Sequence, residues 1–426
     1  MFSRVKGLIP EPIKKSYHCF QALLGALIFR FPSQSLKVIG VTGTDGKTTT
    51  VHLLYHILKE CGQKVSMVST VEARIADKSI DTGFHVTTPN PIKVQALLRK
   101  MVKAGSNYAI LETTSHGLAQ DRVAFVKFWV GIVTNITPEH LDYHKSLKNY
   151  LDAKAKLLRG VSLRILNADD LSFEKLKDKG SGQLVSYGIK TKSDFQAKNI
   201  QFNNGQTEFE IINEKKKENQ IVVIKTNLPG EYNISNILAA FATAFSLGIE
   251  VEKIVAAIAS FQGVAGRMQY LKEGQDFDCI IDFAHTPASI ESALRSLNKT
   301  KVGKVIAVFG CAGERDPGKR PLMGRIVTQF ADYSIFTAED PRSEDVNKII
   351  EQISKGAIVA GGIPNRTFWK IPDRAEAINT AIQTLANSND IVVIFGKGHE
   401  KSMNIKGKEH PWSDEVVARS AIKTKL

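Results

Sequence analysis

Between residues 36 and 58 the chain passes from an apolar run (Leu36 to Val41) through Gly43-Thr-Asp-Gly-Lys-Thr-Thr49 into a second apolar-rich run, Val51-His-Leu-Leu-Tyr-His-Ile-Leu58. No other stretch restricts the fold so strongly. The order predicts a buried strand, a tight loop and a helix. Such loops aim backbone N–H groups and the positive end of a helix at phosphate oxygens. Lys47 would then reach the outer phosphates, and the Thr48 hydroxyl could ligate Mg²⁺. The spacing departs from the common phosphate-loop pattern. Val41 stands six before the lysine, where glycine is usual, and the glycines fall at Gly40, Gly43 and Gly46. A glycine-rich turn that binds nothing is the competing explanation. It is disfavoured because Gly46-Lys-Thr-Thr49 directly joins a strand to a helix.

Downstream, strand-like and helix-like runs alternate: Lys64–Thr70, helix Ile92–Ala104, Tyr108–Thr114, Trp129–Asn135, helix Ser146–Leu158 and Ser162–Asn167. This rhythm predicts a mainly parallel, doubly wound sheet, whose ligands gather at the carboxyl ends of the strands. Those ends are polar here: Gly43-Thr44, Thr70-Val-Glu72, Glu112-Thr-Thr-Ser-His116 and Thr134-Asn135. Residues 184–228 change character. Leu184–Tyr187, Phe195–Phe202, Glu208–Ile212 and Ile221–Ile224 lie between Gly/Asn turns and are expected as antiparallel strands appended to the first sheet. Helices Ile234–Leu247 and Val251–Phe261 follow, then a hinge at Gly263-Val-Ala-Gly-Arg-Met268. A second α/β rhythm then runs to the end, with strands at Cys279–Phe283, Lys304–Phe309, Tyr333–Thr337 and Asp390–Phe395. Helices are expected at Pro287–Leu297, Pro321–Phe330, Asp345–Ala360 and Arg374–Leu385. The predicted class is α/β: a central phosphate-loop domain (37–265), a smaller C-terminal Rossmann-like domain (266–426) and a short N-terminal helical segment (1–36).

Composition narrows the function classes. The 426 residues carry a net charge of +14, which suits an anionic partner such as nucleotide, nucleic acid or an anionic membrane surface. The four cysteines are scattered without CxxC spacing, which argues against a zinc site or disulfide framework and fits a reducing cytosol. The run Tyr17–Phe31 is too short to span a bilayer, which takes ~20 residues, and no small-residue cleavage site follows it. A helix packed on the body of the protein is expected there. Weak contact with a membrane surface through residues 8–31 is the minority expectation. No basic patch interleaved with aromatics points to single-stranded nucleic acid.

Glu112 ends one predicted strand, and His140 lies in Asn135-Ile-Thr-Pro-Glu-His-Leu-Asp-Tyr-His144 after the next. Carboxylate, imidazole and the Thr48 hydroxyl form a plausible Mg²⁺ set, although imidazole is unusual for so hard a cation. Each alone is more often a structural hydrogen-bonder.

With these motifs the chain resembles the Mur ligases, ATP-dependent amide-forming enzymes of peptidoglycan synthesis. It is most similar to the branch that adds the third residue of the stem peptide. The matching segments run in order: Gly43–Thr49, Glu112–Leu118, Asn135–His144, Asn233–Asn236, Gly266–Met268, Asp282–Pro287, Phe309–Asp316, Gly318–Gly324 and Gly396-Lys-Gly-His-Glu400. The resemblance implies that a substrate carboxylate takes the γ-phosphoryl group of ATP to form an acyl phosphate, which an amine then attacks. It assigns catalysis to Lys47, Glu112, His140 and Lys154, and ATP binding to Gly43, Thr44, Asp45, Gly46, Lys47, Thr48, Thr49, Asn236, Arg267, Asp282 and His285. It also implies Mg²⁺ at Thr48, Glu112, His140 and a carbamylated Lys154, since an ammonium cannot ligate a cation whereas its carbamate is in effect a carboxylate. The muramoyl-peptide would lie against Thr87, Thr88, Thr114, Gln120 and Arg122. The added amino acid would lie against Arg315, Glu339, Asp340, Pro341, Arg342, Gly396 and Glu400. An arginine can clamp a distal carboxylate, and Glu400 can pair with an ammonium.

Two departures from the family pattern stand out. The diaminopimelate signature Asp-Asn-Pro-Arg reads Glu339-Asp340-Pro341-Arg342 here. Arg342 favours meso-diaminopimelate over lysine, but Asp340 introduces a charge. In addition, about 36 residues precede the loop, too few for the family's N-terminal uridine-nucleotide domain. A lipid-linked or UDP-free acceptor, or lysine as the added residue, is therefore the alternative. From another class, the alternative is a basic phosphate-loop ATPase that binds nucleic acid. Folylpolyglutamate and cyanophycin synthetases lack the Arg315/Arg342 pattern, and the four-cysteine insertion of the lipid II amidotransferase ligase subunit is absent. A cytoplasmic monomer acting on small molecules is expected.

Overall fold

The computed structural model describes residues 11–80, 87–203, 206–214 and 220–426. They form two compact units, residues 1–228 with 232–262, and residues 229–231 with 263–426.

The first unit is built on an eleven-stranded sheet. In chain order its strands are β1 (Lys37–Thr42), β2 (Val65–Val68), β3 (Ala73–Ile75), β4 (Lys78–Ile80), β5 (Tyr108–Glu112), β6 (Phe128–Val133), β7 (Leu163–Asn167), β8 (Gln183–Gly188), β9 (Phe195–Asn203), β10 (Gln206–Asn213) and β11 (Gln220–Thr226). Across the sheet they lie in the order β11-β10-β9-β8-β7-β6-β1-β5-β2-β3-β4. From β9 through β2 every neighbouring pair is parallel, and the two margins are antiparallel. β1, β5 and β6 are apolar runs buried along nearly their whole length, as strands covered on both faces must be. β1 lies between β5 and β6, so the loop after it is flanked by Glu112 on one side and Thr134-Asn135 on the other.

Three local expectations are corrected. Leu184–Tyr187 was expected to be antiparallel, but β8 pairs in parallel with both β7 and β9, and only β9-β10-β11 form the antiparallel margin. The reason is the connection: residues 168–182, with a short helix Phe173–Leu176, return the chain to the starting end of β7 before β8 begins. Secondly, the helix after the phosphate loop begins at Lys47, not Val51, and runs to Glu60. Thr50 N already donates to Gly46 O, so the lysine and threonines form the first helical turn. Thirdly, the β3–β4 hairpin was not anticipated. Its turn residues Ala76 and Asp77 adopt φ of 48° and 63°, the geometry of a two-residue hairpin turn without the usual Asn-Gly signal.

The N-terminal helix Glu11–Ile28 packs on helix Pro91–Lys103, as expected of that segment. Its small residues Ala22 and Ala26 are buried, whereas Phe20, Leu24, Leu27 and Ile28 are exposed. Expectations for residues before Glu11 lie outside the described residues. No helix among the described residues is long and apolar enough to cross a membrane.

The second unit has a six-stranded sheet, ordered β12 (Gln269–Leu271), β13 (Asp278–Asp282), β17 (Ile391–Phe395), β14 (Val305–Phe309), β15 (Tyr333–Phe336), β16 (Phe368–Lys370). It is parallel except for the β12–β13 pair. Its core joins Cys279, Ile281, Val308, Ile335, Val392 and Ile394 of the strands to Ile378 and Ile382 of the segment after Arg374 and to Ile422 of the last helix. A separate hairpin, β18 (Ser402–Ile405) with β19 (Lys408–Pro411), follows β17.

Candidate active site

The loop after β1 is clamped from the end of β6. Asn135 Oδ1 accepts from Asp45 N (2.8 Å), Asn135 Nδ2 and Thr134 Oγ1 donate to Asp45 O (3.2 and 2.6 Å), and Thr44 N donates to Asn135 O (2.9 Å). Glycine is required at two points. A Cβ on Gly43 would lie 1.8 Å from Thr134 Oγ1, and one on Gly46, at φ 80°, would lie 2.2 Å from Asn236 Oδ1. The backbone can therefore turn tightly enough to offer its N–H groups, and Asn236 is brought to the loop from a helix far along the chain. Lys47 Nζ folds back to Gly43 O (3.1 Å) and Thr44 O (2.7 Å), so its ammonium is held over the loop.

On the β5 side, Thr48 Oγ1 donates to the Glu112 carboxylate (3.0 and 3.1 Å to its two oxygens). Thr70, at the end of β2, donates to the same carboxylate through its N–H and its hydroxyl (2.9 Å each). Glu112 is buried yet surrounded by donors, which is how a carboxylate persists in the interior.

On the β6 side lies Lys154, from helix Leu147–Ala155. Its side chain is buried, its Nζ donates to Gly43 O, and it sits 4.6 Å from the centre of the Tyr150 ring. Burial, reinforced by the nearby Lys47 ammonium, holds its pKa well below that of an ordinary lysine. A lysine desolvated in this way gives up its proton more readily, which favours nucleophilic chemistry. Tyr150 meets Thr44 Oγ1 at 3.1 Å, and the His140 ring lies 6.5 Å from the Tyr150 ring and 4.7 Å from that of His116. His140 thus joins the Lys154 side of the loop.

Next to these is a hydrogen-bonded chain of the residues expected to meet the acceptor. Thr87 Oγ1 meets Thr70 Oγ1 at 2.9 Å, Thr114 N donates to Thr88 Oγ1, Arg122 Nη1 donates to Thr88 O (3.1 Å), and Arg122 Nε donates to Gln120 Oε1 (2.9 Å). Burial lowers the Arg122 pKa, although its guanidinium remains a cation.

In the second unit the candidate residues form two groups. Arg267 lies over the Phe283 ring at 4.4 Å, Asp282 accepts from Met268 N and Ala284 N (2.7 and 2.8 Å), and His285 Nδ1 meets Phe283 O at 3.0 Å. The other group surrounds Lys397, whose fully buried ammonium pairs with Asp340 (2.8 Å) and Glu400 (2.5 Å). Glu339 packs against Gly396, and burial raises its pKa to about 7 against the opposing pull of Lys319 and Lys397. Arg315 and Arg342 lie on neighbouring loops, joined by Gly313 N donating to Asp340 O (2.8 Å).

Residues 41–244 match the Mur ligase middle domain and residues 266–398 the Mur ligase glutamate ligase domain. UDP-N-acetylmuramoyl-L-alanyl-D-glutamate--2,6-diaminopimelate ligase 1 of Clostridium acetobutylicum is 35% identical over 94% of this chain and 81% of its own length. The chain belongs to the Mur ligase family. The corresponding ligase of Geobacillus thermodenitrificans is 36% identical over 94% of this chain and 82% of its own. Among solved structures, a UDP-N-acetylmuramoyl-L-alanyl-D-glutamate--2,6-diaminopimelate ligase aligns with TM-score 0.65 at 29% identity, covering 95% of this chain and 83% of that one. A MurF ligase from Thermotoga maritima solved with ADP shares the fold, with TM-score 0.66 and 17% identity over 96% of this chain and 83% of that one. This Mur ligase is accordingly an ATP-dependent amide-bond ligase of α/β architecture.

Within it, Gly43–Thr49, Glu112, Lys154 and Asn236 converge on one loop. Arg267, Asp282 and His285 gather separately in the second unit. Glu400, expected to meet an ammonium of the substrate, pairs with Lys397 instead. Sequence reasoning gave no role to Tyr150 or Lys397 and named Thr70 and Asn135 only as polar strand ends. Lys397 had a signal, a lysine between two glycines directly after a buried apolar strand. Thr70 had none beyond its place at a strand end.

Proposed function

We propose that this Mur ligase adds meso-diaminopimelate to the D-glutamate carboxylate of UDP-N-acetylmuramoyl-L-alanyl-D-glutamate in peptidoglycan synthesis. The observation that carries the substrate assignment is that the loops of Arg315 and Arg342 are joined by the Gly313–Asp340 backbone hydrogen bond, and an arginine can clamp the distal carboxylate that diaminopimelate has and lysine lacks. The names of the relatives agree with it.

In the first step an oxygen of the acceptor carboxylate attacks the γ-phosphorus of ATP, and the bond to the ADP oxygen breaks. In the second the amine nitrogen attacks the acyl carbon, inorganic phosphate leaves, and the nitrogen loses a proton. Both steps concentrate negative charge, so positioned donors and cations do most of the work. Lys47 would exchange the loop carbonyls it now holds for phosphate oxygens, while the N–H groups of Gly46 to Thr49 orient them. Arg122 and the Thr88–Thr114 pair would hold the acceptor.

The Thr48 hydroxyl and the Glu112 carboxylate, already within hydrogen-bonding distance, are hard oxygen donors that fit Mg²⁺. Among the described residues no cluster of three or more His, Cys, Asp or Glu could hold a metal, so the set would be mixed, completed by His140 and Lys154 as its carbamate. Addition of the deprotonated Lys154 amine to CO₂ would form the N–C bond and release one proton. When bound, Mg²⁺ supplies charge neutralisation at the transferring phosphoryl group.

Phosphate release by the purified chain is expected to require both the muramoyl-dipeptide and diaminopimelate. ATP hydrolysis that ignores both and rises with DNA or RNA would sink the ligase assignment in favour of a nucleic-acid-stimulated ATPase. A second reading, an acceptor on a lipid carrier, is favoured by the exposed Phe20, Leu24, Leu27 and Ile28 beside Arg30. Flotation with vesicles of anionic lipid tests it, and a chain that stays with the soluble fraction at low salt removes its motivation.

A further inference from the structure

Arg342 adopts φ 54°, a left-handed backbone that is strained for a non-glycine residue. It is held there from both sides. Its N–H donates to Asn404 O (3.0 Å), and its carbonyl accepts from Lys406 N (2.6 Å). Both partners belong to the β18–β19 hairpin and its turn, whose strands pair only with each other apart from a bridge between Arg342 and Ile405. An isolated two-stranded hairpin is marginally stable at best, so its position must be set by other contacts.

Asp340 is the main one. Its Oδ1 accepts from Asn404 N (3.0 Å) and from the buried Lys397 Nζ (2.8 Å). A carboxylate suits this place better than an amide, because it also neutralises a lysine removed from water. Inside the hairpin, Glu409 acts as a staple, accepting from Ser402 Oγ and Asn404 Nδ2 (2.7 Å each). On the other side of the same segment, Gly313 N donates to Asp340 O, Ser343 Oγ donates to Glu314, and Glu314 N donates to Glu344. The loop of Arg315 is thereby fastened to the segment that carries Arg342.

We propose that the Ser402–Pro411 hairpin, anchored by Asp340, is a specificity element. It fixes the backbone of Arg342 so that the guanidinium meets a distal carboxylate, and so selects a diamino dicarboxylic acid over a diamino monocarboxylic acid. The proposal rests on the ligase assignment above. Asp340 and Glu409 act through Arg342 and are positioning residues.

The test is steady-state kinetics on the full chain with meso-diaminopimelate and with L-lysine as the amine, for Glu409→Ala, Asp340→Ala and Asp340→Asn. Glu409 lies outside the reacting groups, so its variant isolates loosening of the hairpin. The expected result for Glu409→Ala and Asp340→Ala is a KM for diaminopimelate raised about tenfold. KM for ATP should stay within about twofold, and the preference for diaminopimelate over lysine should shrink by the same tenfold. Asp340→Asn should recover part of the loss, because an amide oxygen still accepts from Asn404 N. An unchanged KM and preference in Glu409→Ala, or a KM for ATP that rises as much as that for diaminopimelate, overturns the proposal. Unmutated enzyme that turns over lysine as well as diaminopimelate fails the substrate assignment beneath it and takes the proposal with it. Unmutated enzyme that prefers diaminopimelate, with variants that do so equally, fails the positioning role alone.

Discussion

The two units secure their polar residues by different means. Around the phosphate loop the fixing is done by hydroxyls, amides and backbone: Thr134 and Asn135 on Asp45, Thr48 and Thr70 on Glu112, Thr88 on Thr114. In the second unit the fixing is ionic: buried pairs of Arg374 with Asp414 and of Lys397 with Asp340 and Glu400, and buried Arg320 with the half-exposed Glu344. The difference follows from what each must receive. A site for a polyanion works best with neutral donors and a few positive charges, and the Glu112 carboxylate beside the loop is covered by donors from Thr48 and Thr70. A site for a zwitterion must hold an arginine at a set angle, and oppositely charged neighbours can stiffen loops without adding net charge.

The largest effect that sharpens this contrast is expected at Lys154. Lys154→Ala should lower turnover by ~10³ or more, about 4 kcal/mol of barrier, with partial rescue by short carboxylic acids that stand in for the carbamate. Full turnover of the variant refutes that role. Next comes the ionic framework. Asp414→Ala leaves the fully buried Arg374 guanidinium without its carboxylate and should destabilise by about 3–5 kcal/mol. Thr134→Val, which removes a hydroxyl from the loop clamp, should cost about 1 kcal/mol. Denaturant titrations giving equal losses would break the comparison.

Glu339 gives a pH-dependent measure of the same framework. Its pKa of about 7 in the fold exceeds the ordinary carboxylate value, so between about pH 4.5 and 7 the folded chain keeps a proton that the unfolded chain has released. The stability Glu339 contributes is present below that window and is lost as pH rises through it, by at most about 3 kcal/mol. Glu339→Gln mimics the protonated form, and melting curves should show its advantage over the unmutated chain growing from pH 5 to 8. A constant difference would mean that Glu339 does not titrate there. Arg342→Ala is expected to weaken diaminopimelate by about 1.5–3 kcal/mol in KM while leaving KM for ATP in place. A parallel rise of both would detach Arg342 from the amino-acid site.

Much of this was legible in the residues alone. The apolar runs at Leu36–Val41, Tyr108–Leu111 and Val130–Val133 could be buried only as central parallel strands. Once parallel, they had to deliver Gly43–Thr49, Glu112 and Thr134-Asn135 to one end of the sheet. The β3–β4 hairpin and strand β16 were missed because three-residue strands carry too little pattern to be told from loop. The parallel pairing of β8 was missed because alternation along a strand says which side is buried and nothing about the direction of its neighbour.

The sequence by itself determined the phosphate loop and its place between strand and helix, because these depend on residues next to one another in the chain. Tertiary structure decided which distant residues meet within each unit. Asn236 against Gly46, Lys154 with its pKa lowered by burial beside Lys47, and Asp340 committed to Lys397 all join residues far apart in sequence. Burial and charge pairing are properties of the space around a side chain, and that space exists only once the chain has closed on itself.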